Sequence, residues 1–268
     1  MDKEIKFSCI IPTYDRPEFL IEAINSVLRQ TFFPFEIIVV DNGSRGTALP
    51  EALKSRVILV RVKPAIGASS ARNFGASLAR GDYLAFLDDD DLWGREYLEK
   101  AAEALGEGNE CAISRLDKIE DGIISGHKNA YQKLSLKKLF VSNPGVTGSN
   151  IVIKKSIFLE LGGFDVKLPT SEDKSLIIEA IRKKIKIKVL PDNQAIFRSD
   201  KRRGGLRENF SRMAEGIYRF TLKYSDLMTK RERLLNWLKI YKFRFQTGSK
   251  MALIPFLFLY LLKKIKFI

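Results

Sequence analysis

The first hundred residues alternate between two patterns, and this alternation restricts the fold more than any other feature. Apolar, β-branched runs stand at residues 7–13 (FSCIIPT), 35–41 (FEIIVVD), 57–62 (VILVRV) and 83–88 (YLAFLD). Between them lie stretches with helical spacing. Residues 17–30 place Phe19, Leu20, Ala23, Ile24, Val27 and Leu28 on one face, and Pro17 suits a first helical position. Residues 68–81 read the same way, with Gly81 as a stop. Nearly continuous apolar strands alternating with helical stretches predict an α/β fold: a mostly parallel sheet covered on both faces.

The second half is less regular. Residues 111–119 and 122–129 predict a strand pair turning at Glu120-Asp121-Gly122. Residues 149–164 read as a strand, a short helix and a stop at Gly162-Gly163. Residues 171–184 predict a helix capped by Ser171, and residues 185–191 alternate like a strand. The organisation expected is one domain over 1–200, divided near residue 110, with 201–268 as an appendage.

Charge sets that appendage apart. Of the net +14 on 268 residues, residues 201–268 carry +13, from 17 Lys and Arg against 4 Asp and Glu. Two cysteines, Cys9 and Cys111, and one histidine, His127, exclude a disulfide scaffold and a zinc site. The N-terminal apolar stretch is short and interrupted by Pro12, so no signal peptide is expected and the bulk of the chain belongs in the cytoplasm. Residues 251–262 form a 12-residue apolar run broken by Pro255 and followed by Lys263, Lys264 and Lys266. A spanning helix needs ~20 apolar residues. The run therefore predicts an element lying in an anionic membrane surface, the alternative being a core helix with a solvated basic face. Nucleic acid is not the expected partner, because carboxylates elsewhere in the chain would repel its phosphates.

Those carboxylates stand at strand ends. Thr13, Asp41 and Asp88 each close an apolar run, and ligands of open parallel sheets bind outside the carboxyl ends of the strands. Asp88, Asp89, Asp90 and Asp91 are consecutive. Helix capping accounts for one or two of them. Four hard carboxylates together suit Mg²⁺ or Mn²⁺, ions that usually also hold substrate phosphates. Asp41, before Asn-Gly, reads equally as a turn former. Gly67 opens a helix whose amides could approach a phosphate, with Arg72 neutralising acids or diphosphate, or standing as a surface arginine. Glu172 and Asp173 are first-turn acids or a general base. There is no G-x-G-x-x-G after the first strand and no P-loop, which removes support for a dinucleotide dehydrogenase and a P-loop enzyme.

In their order, CIIPTYDR, IIVVDNGS, Gly67 with Ala71-Arg72-Asn73, YLAFLDDDD, GGFD at 162–165 and Glu172-Asp173 resemble the family 2 glycosyltransferases of GT-A fold, over roughly residues 5–200. The resemblance implies a nucleotide-sugar-binding half (1–110) and an acceptor half (111–200). Pro12, Thr13, Tyr14, Arg16, Gly67 and Arg72 would line the site of a UDP-sugar, with Asp41 on the uracil ring and Asp88 and Asp89 on ribose or near the metal. Asp90, with Asp88, would hold Mn²⁺ or Mg²⁺. Asp173 would be the base of an inverting transfer of a hexose, glucose or galactose, forming a β-linkage. Glu172, Gly148, Ser149 and Asn150 would touch the acceptor, a lipid-linked saccharide such as GlcNAc-diphospho-undecaprenol in surface-polysaccharide or O-antigen synthesis. The expected location is the inner face of a bacterial cell membrane. Where relatives carry a metal-approaching His, this chain has Asp200, as a substitute ligand or as no ligand at all. Asp91 would cap a following helix. Competing readings are a non-catalytic sugar-nucleotide or membrane-binding module, and a nucleotidyltransferase that releases pyrophosphate.

Overall fold

Strand β1 (Phe7–Thr13) is buried along its whole length, as a strand between two layers of helices must be. A computed structural model of the chain describes residues 5–126, 134–199 and 209–264. Helix α1 (Pro17–Leu28) follows with Pro17 in its first turn, then β2 (Glu36–Asp41), α2 (Glu51–Lys54), β3 (Ile58–Arg61), α3 (Ala68–Leu78) and β4 (Tyr83–Phe86). After these come β5 (Leu92–Trp93), α4 (Tyr97–Gly106), β6 (Cys111–Glu120), β7 (Ile123–Ser125), α5 (Leu136–Val141), β8 (Ile151–Lys154), α6 (Lys155–Glu160), α7 (Glu172–Arg182) and β9 (Ile187–Arg198). Helices α8 (Phe210–Lys223), α9 (Lys230–Gln246) and α10 (Leu253–Lys264) complete the described elements.

The sheet runs β3-β2-β1-β4-β8-β6-β9-β5, with β7 paired to β6. Its first half, β3-β2-β1-β4, is entirely parallel, as the alternation predicts. The second half is mixed: β8 pairs antiparallel with β4 and β6, β6 runs parallel to β9, and β9 pairs antiparallel with β5. One face buries Phe7, Cys9 and Ile11 against Leu20, Ile24 and Val27 of α1, and α4 extends that layer. On the other face α3 packs closely at Gly75, where a Cβ would come within 2.6 Å of Ile10 Cγ2. Phe86, Phe158 and Phe164 meet there as a trio, edge-on or tilted, with ring centroids 5.0–5.5 Å apart. At the sheet edge, β3 is half open to solvent on both sides, so its apolar run is not the buried strand that composition suggests.

The described residues fall into two compact units. One takes its residues from Met1–Lys133, Gly145–Phe164 and Glu179–Asp200, the other from Leu134–Pro144, Asp165–Ile178 and Lys201–Ile268. In the second unit, three side chains close the C-terminal carbonyls of α5. Lys174 Nζ donates to Leu139 O at 3.3 Å, Asn236 Nδ2 to Phe140 O at 3.0 Å, and Lys239 Nζ to Val141 O. Two cations at a helix C-terminus complement its dipole. The aromatic residues of α9 are largely spent on packing: Trp237 meets Tyr218 edge-on at 5.8 Å and Phe243 stacks on Phe210 at 5.8 Å. Pro255 does not break the last helix. It falls in the first turn of α10, where a missing N–H costs nothing. No helix among the described residues is long and apolar enough to cross a membrane.

Candidate functional site

The carboxyl ends of β1, β2 and β4 converge, because parallel register sets Thr13 beside Asp41. Asn42 ties the two ends, donating through its backbone N–H (3.0 Å) and its Nδ2 (2.6 Å) to Thr13 O. Strand β4 stops at Phe86, two residues before the acids. Leu87 N–H still reaches Ile10 O at 3.1 Å, and the chain then leaves the sheet in a turn closed by Asp91 N–H on Asp88 O at 3.1 Å. The turn leads into β5 rather than into a helix, and β5 pairs with β9 through Leu92 and Ile196. Asp91 is therefore no helix cap.

The turn sends the four carboxylates to different partners. Asp89 faces β1: its Oδ2 accepts from Thr13 Oγ1 (2.9 Å) and Tyr14 N–H (3.2 Å), and its Oδ1 from Arg16 at 3.3 Å. Arg16 also pairs with Asp90 Oδ2 at 2.5 Å. Arg72, buried and stacked on the Phe164 ring at 5.2 Å, pairs with Asp88. Asp91 accepts from Ser149 Oγ at 2.6 Å and from the backbone N–H of Arg198 at 3.2 Å. Ser149 Oγ also accepts from Asp88 N–H at 3.1 Å, so one hydroxyl brackets both ends of the acid turn.

Asp88, Asp90 and Asp91 each bring a carboxylate oxygen within 4.8 Å of the others. Oxygen-only donors at this spacing fit a hard divalent ion. The fourth acid, which local sequence assigns to helix capping, thus joins the candidate ligands. The signal for it was the run length itself. Asp89 is not in the set, since its oxygens are turned to Thr13, Tyr14 and Arg16.

Burial, and then repulsion from Asp90, push the Asp89 carboxyl up to about 7, against the lowering influence of Arg16, Thr13 and the Tyr14 N–H. An acid whose folded value is raised keeps its proton where the unfolded chain has released it. Its contribution to stability is complete below about pH 4 and is lost as pH rises through about 7. In EDTA, the melting temperature of the parent should therefore fall relative to that of Asp89→Asn across this window. A constant difference between the two proteins would refute the assignment.

The other expected site residues have definite places. Tyr14 is half-exposed beside the acids, while Pro12 is buried in β1. Asp41 is buried and accepts from Gly43 N–H (2.8 Å) and Thr47 N–H (2.6 Å), so it does form the turn. Gly67 adopts φ 86° ahead of α3, with open space where a Cβ would stand. Gly148, Ser149 and Asn150 form a buried 3-10 turn rather than an exposed loop. A Cβ on Gly148 would lie 2.7 Å from the Arg72 guanidinium, and Asn150 Nδ2 donates to Ser114 O (2.8 Å) and Gly145 O (2.9 Å). The expected acceptor contacts are thus, for Ser149 and Asn150, interior braces. Apart from Gly145, these partners lie far off in sequence, which is why local reading misses the role. Glu172 and Asp173 open α7 in the second unit, where Lys174 N–H donates to Asp173 Oδ1 at 2.6 Å. Burial lowers the Lys174 ammonium to about 8, opposed by the Asp173 charge. Asp200 and His127 lie outside the described residues.

The fold is similar to that of S. aureus TarS 1-349, solved in complex with UDP-GlcNAc, at a TM-score of 0.64 and 18% identity over 89% of this chain and 71% of that one. Among curated proteins, the chain is 28% identical over 181 residues to an uncharacterized glycosyltransferase of Haemophilus influenzae, covering 65% of this chain and 62% of that protein. It is 30% identical over 154 residues to WfgD of Escherichia coli, a UDP-Glc:alpha-D-GlcNAc-diphosphoundecaprenol beta-1,3-glucosyltransferase, covering 56% of this chain and 60% of that protein. The chain thus spans less than two thirds of the length of each of these two relatives. The family model described as Glycosyl transferase family 2 matches residues 8–162, more than half of the sequence and all four acids of the turn, and the chain belongs to that family.

Proposed function

We propose that this protein transfers a hexose, glucose or galactose, from a UDP-sugar to a lipid-linked saccharide such as GlcNAc-diphospho-undecaprenol, with inversion to a β-linkage, in bacterial surface-polysaccharide or O-antigen synthesis. The observation that carries the reading is the acid turn at the carboxyl edge of the parallel strands, with Asp88, Asp90 and Asp91 oxygens within 4.8 Å of one another. The donor is supported by TarS, solved with UDP-GlcNAc, and the acceptor by the WfgD description.

Asp88 and Asp90, with Asp91, would hold Mn²⁺ or Mg²⁺. When bound, the ion supplies Lewis-acid neutralisation of charge on the departing diphosphate. Thr13, Tyr14 and Asp41 line the uridine side, and the amides after Gly67 approach the phosphates. Arg16 and Arg72 balance charge on Asp89, Asp90 and Asp88. Asp173 removes the acceptor hydroxyl's proton as that oxygen attacks the anomeric carbon, and Glu172 orients the acceptor. A lipid-linked acceptor locates the enzyme at the anionic inner face of the cell membrane.

The test is UDP release from UDP-Glc, UDP-Gal, UDP-GlcNAc and UDP-GalNAc with a synthetic GlcNAc-diphosphate-lipid, with and without Mn²⁺. Metal-dependent release with one hexose donor is expected. Binding of UDP with no turnover would favour a non-catalytic module, and pyrophosphate release a nucleotidyltransferase.

A further inference from the structure

Helix α10 is apolar around its circumference as far as Leu262, yet among the described residues only one side of it is packed. Leu259, with Phe256 and Leu262, faces Leu238 and Tyr241 of α9. On the opposite side Ile254 is 78% exposed, Leu257 47%, Phe258 61% and Leu261 59%. The spacing i, i+3, i+4, i+7 makes these four one continuous stripe. Apolar side chains scattered singly on a surface need no explanation, whereas a contiguous stripe marks an interaction site.

The surrounding charge identifies the partner. No Asp or Glu follows Glu232, while eight Lys and Arg do: Arg233, Lys239, Lys242, Arg244, Lys250, Lys263, Lys264 and Lys266. Exposed Lys250 precedes the helix and exposed Lys263 lies in its last turn. A second copy of this chain would bring like charges together. Twelve residues cannot cross a bilayer, so the helix fits along one. We propose that α10 docks flat into an anionic lipid surface, inserting Ile254, Leu257, Phe258 and Leu261 between the acyl chains while the flanking lysines meet headgroup phosphates. The inference deepens the lipid-linked acceptor reading, on which it rests for its purpose and not for its geometry.

The full-length protein is sedimented with vesicles of phosphatidylethanolamine and phosphatidylglycerol, and with neutral phosphatidylcholine vesicles. The parent should bind the anionic vesicles. Leu257→Glu/Phe258→Glu should bind them at least about 100-fold more weakly. Lys250→Gln/Lys263→Gln should lose roughly fivefold for each lysine, only on the anionic vesicles. Circular dichroism and UDP release with a water-soluble acceptor should be unchanged in both, since none of these residues lies in the transfer machinery. Equal vesicle binding by parent and glutamate variant would overturn the proposal. So would a lipid-free dimer that the glutamates dissociate, which would give the stripe to a second copy. If no donor is turned over while vesicle binding persists, the transfer reading fails and the docking surface stands.

Discussion

Asp90→Ala is expected to abolish transfer and to weaken Mn²⁺ binding together. Removing a direct carboxylate ligand should cost at least about 100-fold in metal affinity, more than the loss of a supporting hydrogen bond, and about 10³-fold in rate. The affinity loss is read by calorimetry or by the Mn²⁺ paramagnetic signal, without any substrate present. Three neighbours act as controls within the same turn. Asp89→Asn, which removes an acid already directed to Thr13, Tyr14 and Arg16, should leave Mn²⁺ affinity nearly intact. Asp88→Asn and Asp91→Asn should each weaken it. Parent-like Mn²⁺ affinity in Asp90→Ala would remove the metal assignment, whatever happened to the rate.

Asp173→Asn should act on chemistry alone. The expected result is a fall in kcat of about 10²–10⁴-fold, the usual contribution of a positioned general base, with donor KM and Mn²⁺ affinity unchanged. Asparagine keeps the acceptor for the Lys174 N–H, now 2.6 Å from Asp173 Oδ1, so the first turn of α7 should persist. Glu172→Gln should be milder and appear mainly in acceptor KM. Full activity in Asp173→Asn would rule it out as the base, and a larger fall in kcat for Glu172→Gln than for Asp173→Asn would reverse the two roles.

The parallel half of the sheet was legible because each of its strands is encoded locally. Residues 7–13 alone carry the continuous apolar pattern of a strand buried on both faces, and β1 spans those residues. The acid turn was legible as a cluster but not as a geometry. Nothing near Asp91 says that Leu92 and Trp93 pair with Ile196 and Ala195, and that pairing replaces the helix which the acids seemed to cap. Ser149 and Asn150 look like surface-loop residues until Asp88, Asp91 and Ser114 arrive from elsewhere in the chain. The same limit applies to α9, whose mixed aromatic and basic composition is equally compatible with a lipid surface and with packing on α8. Long-range pairing decides each of these cases, and single-sequence periodicity does not contain it.

The bracket on the acid turn also has a consequence for the order in which the protein matures. Two of the partners that hold Asp88 and Asp91 come from positions 61 and 107 residues further along the chain. While the chain is being synthesised, the four acids emerge well before Ser149 and Arg198 exist to hold them. An N-terminal fragment ending near residue 140 would therefore carry every proposed ligand and still lack the arrangement that gathers them. On the proposed ligand set, capacity for the ion would be acquired late, once β8 and β9 are in place, so a nascent or truncated chain should neither sequester the metal nor act on a sugar nucleotide.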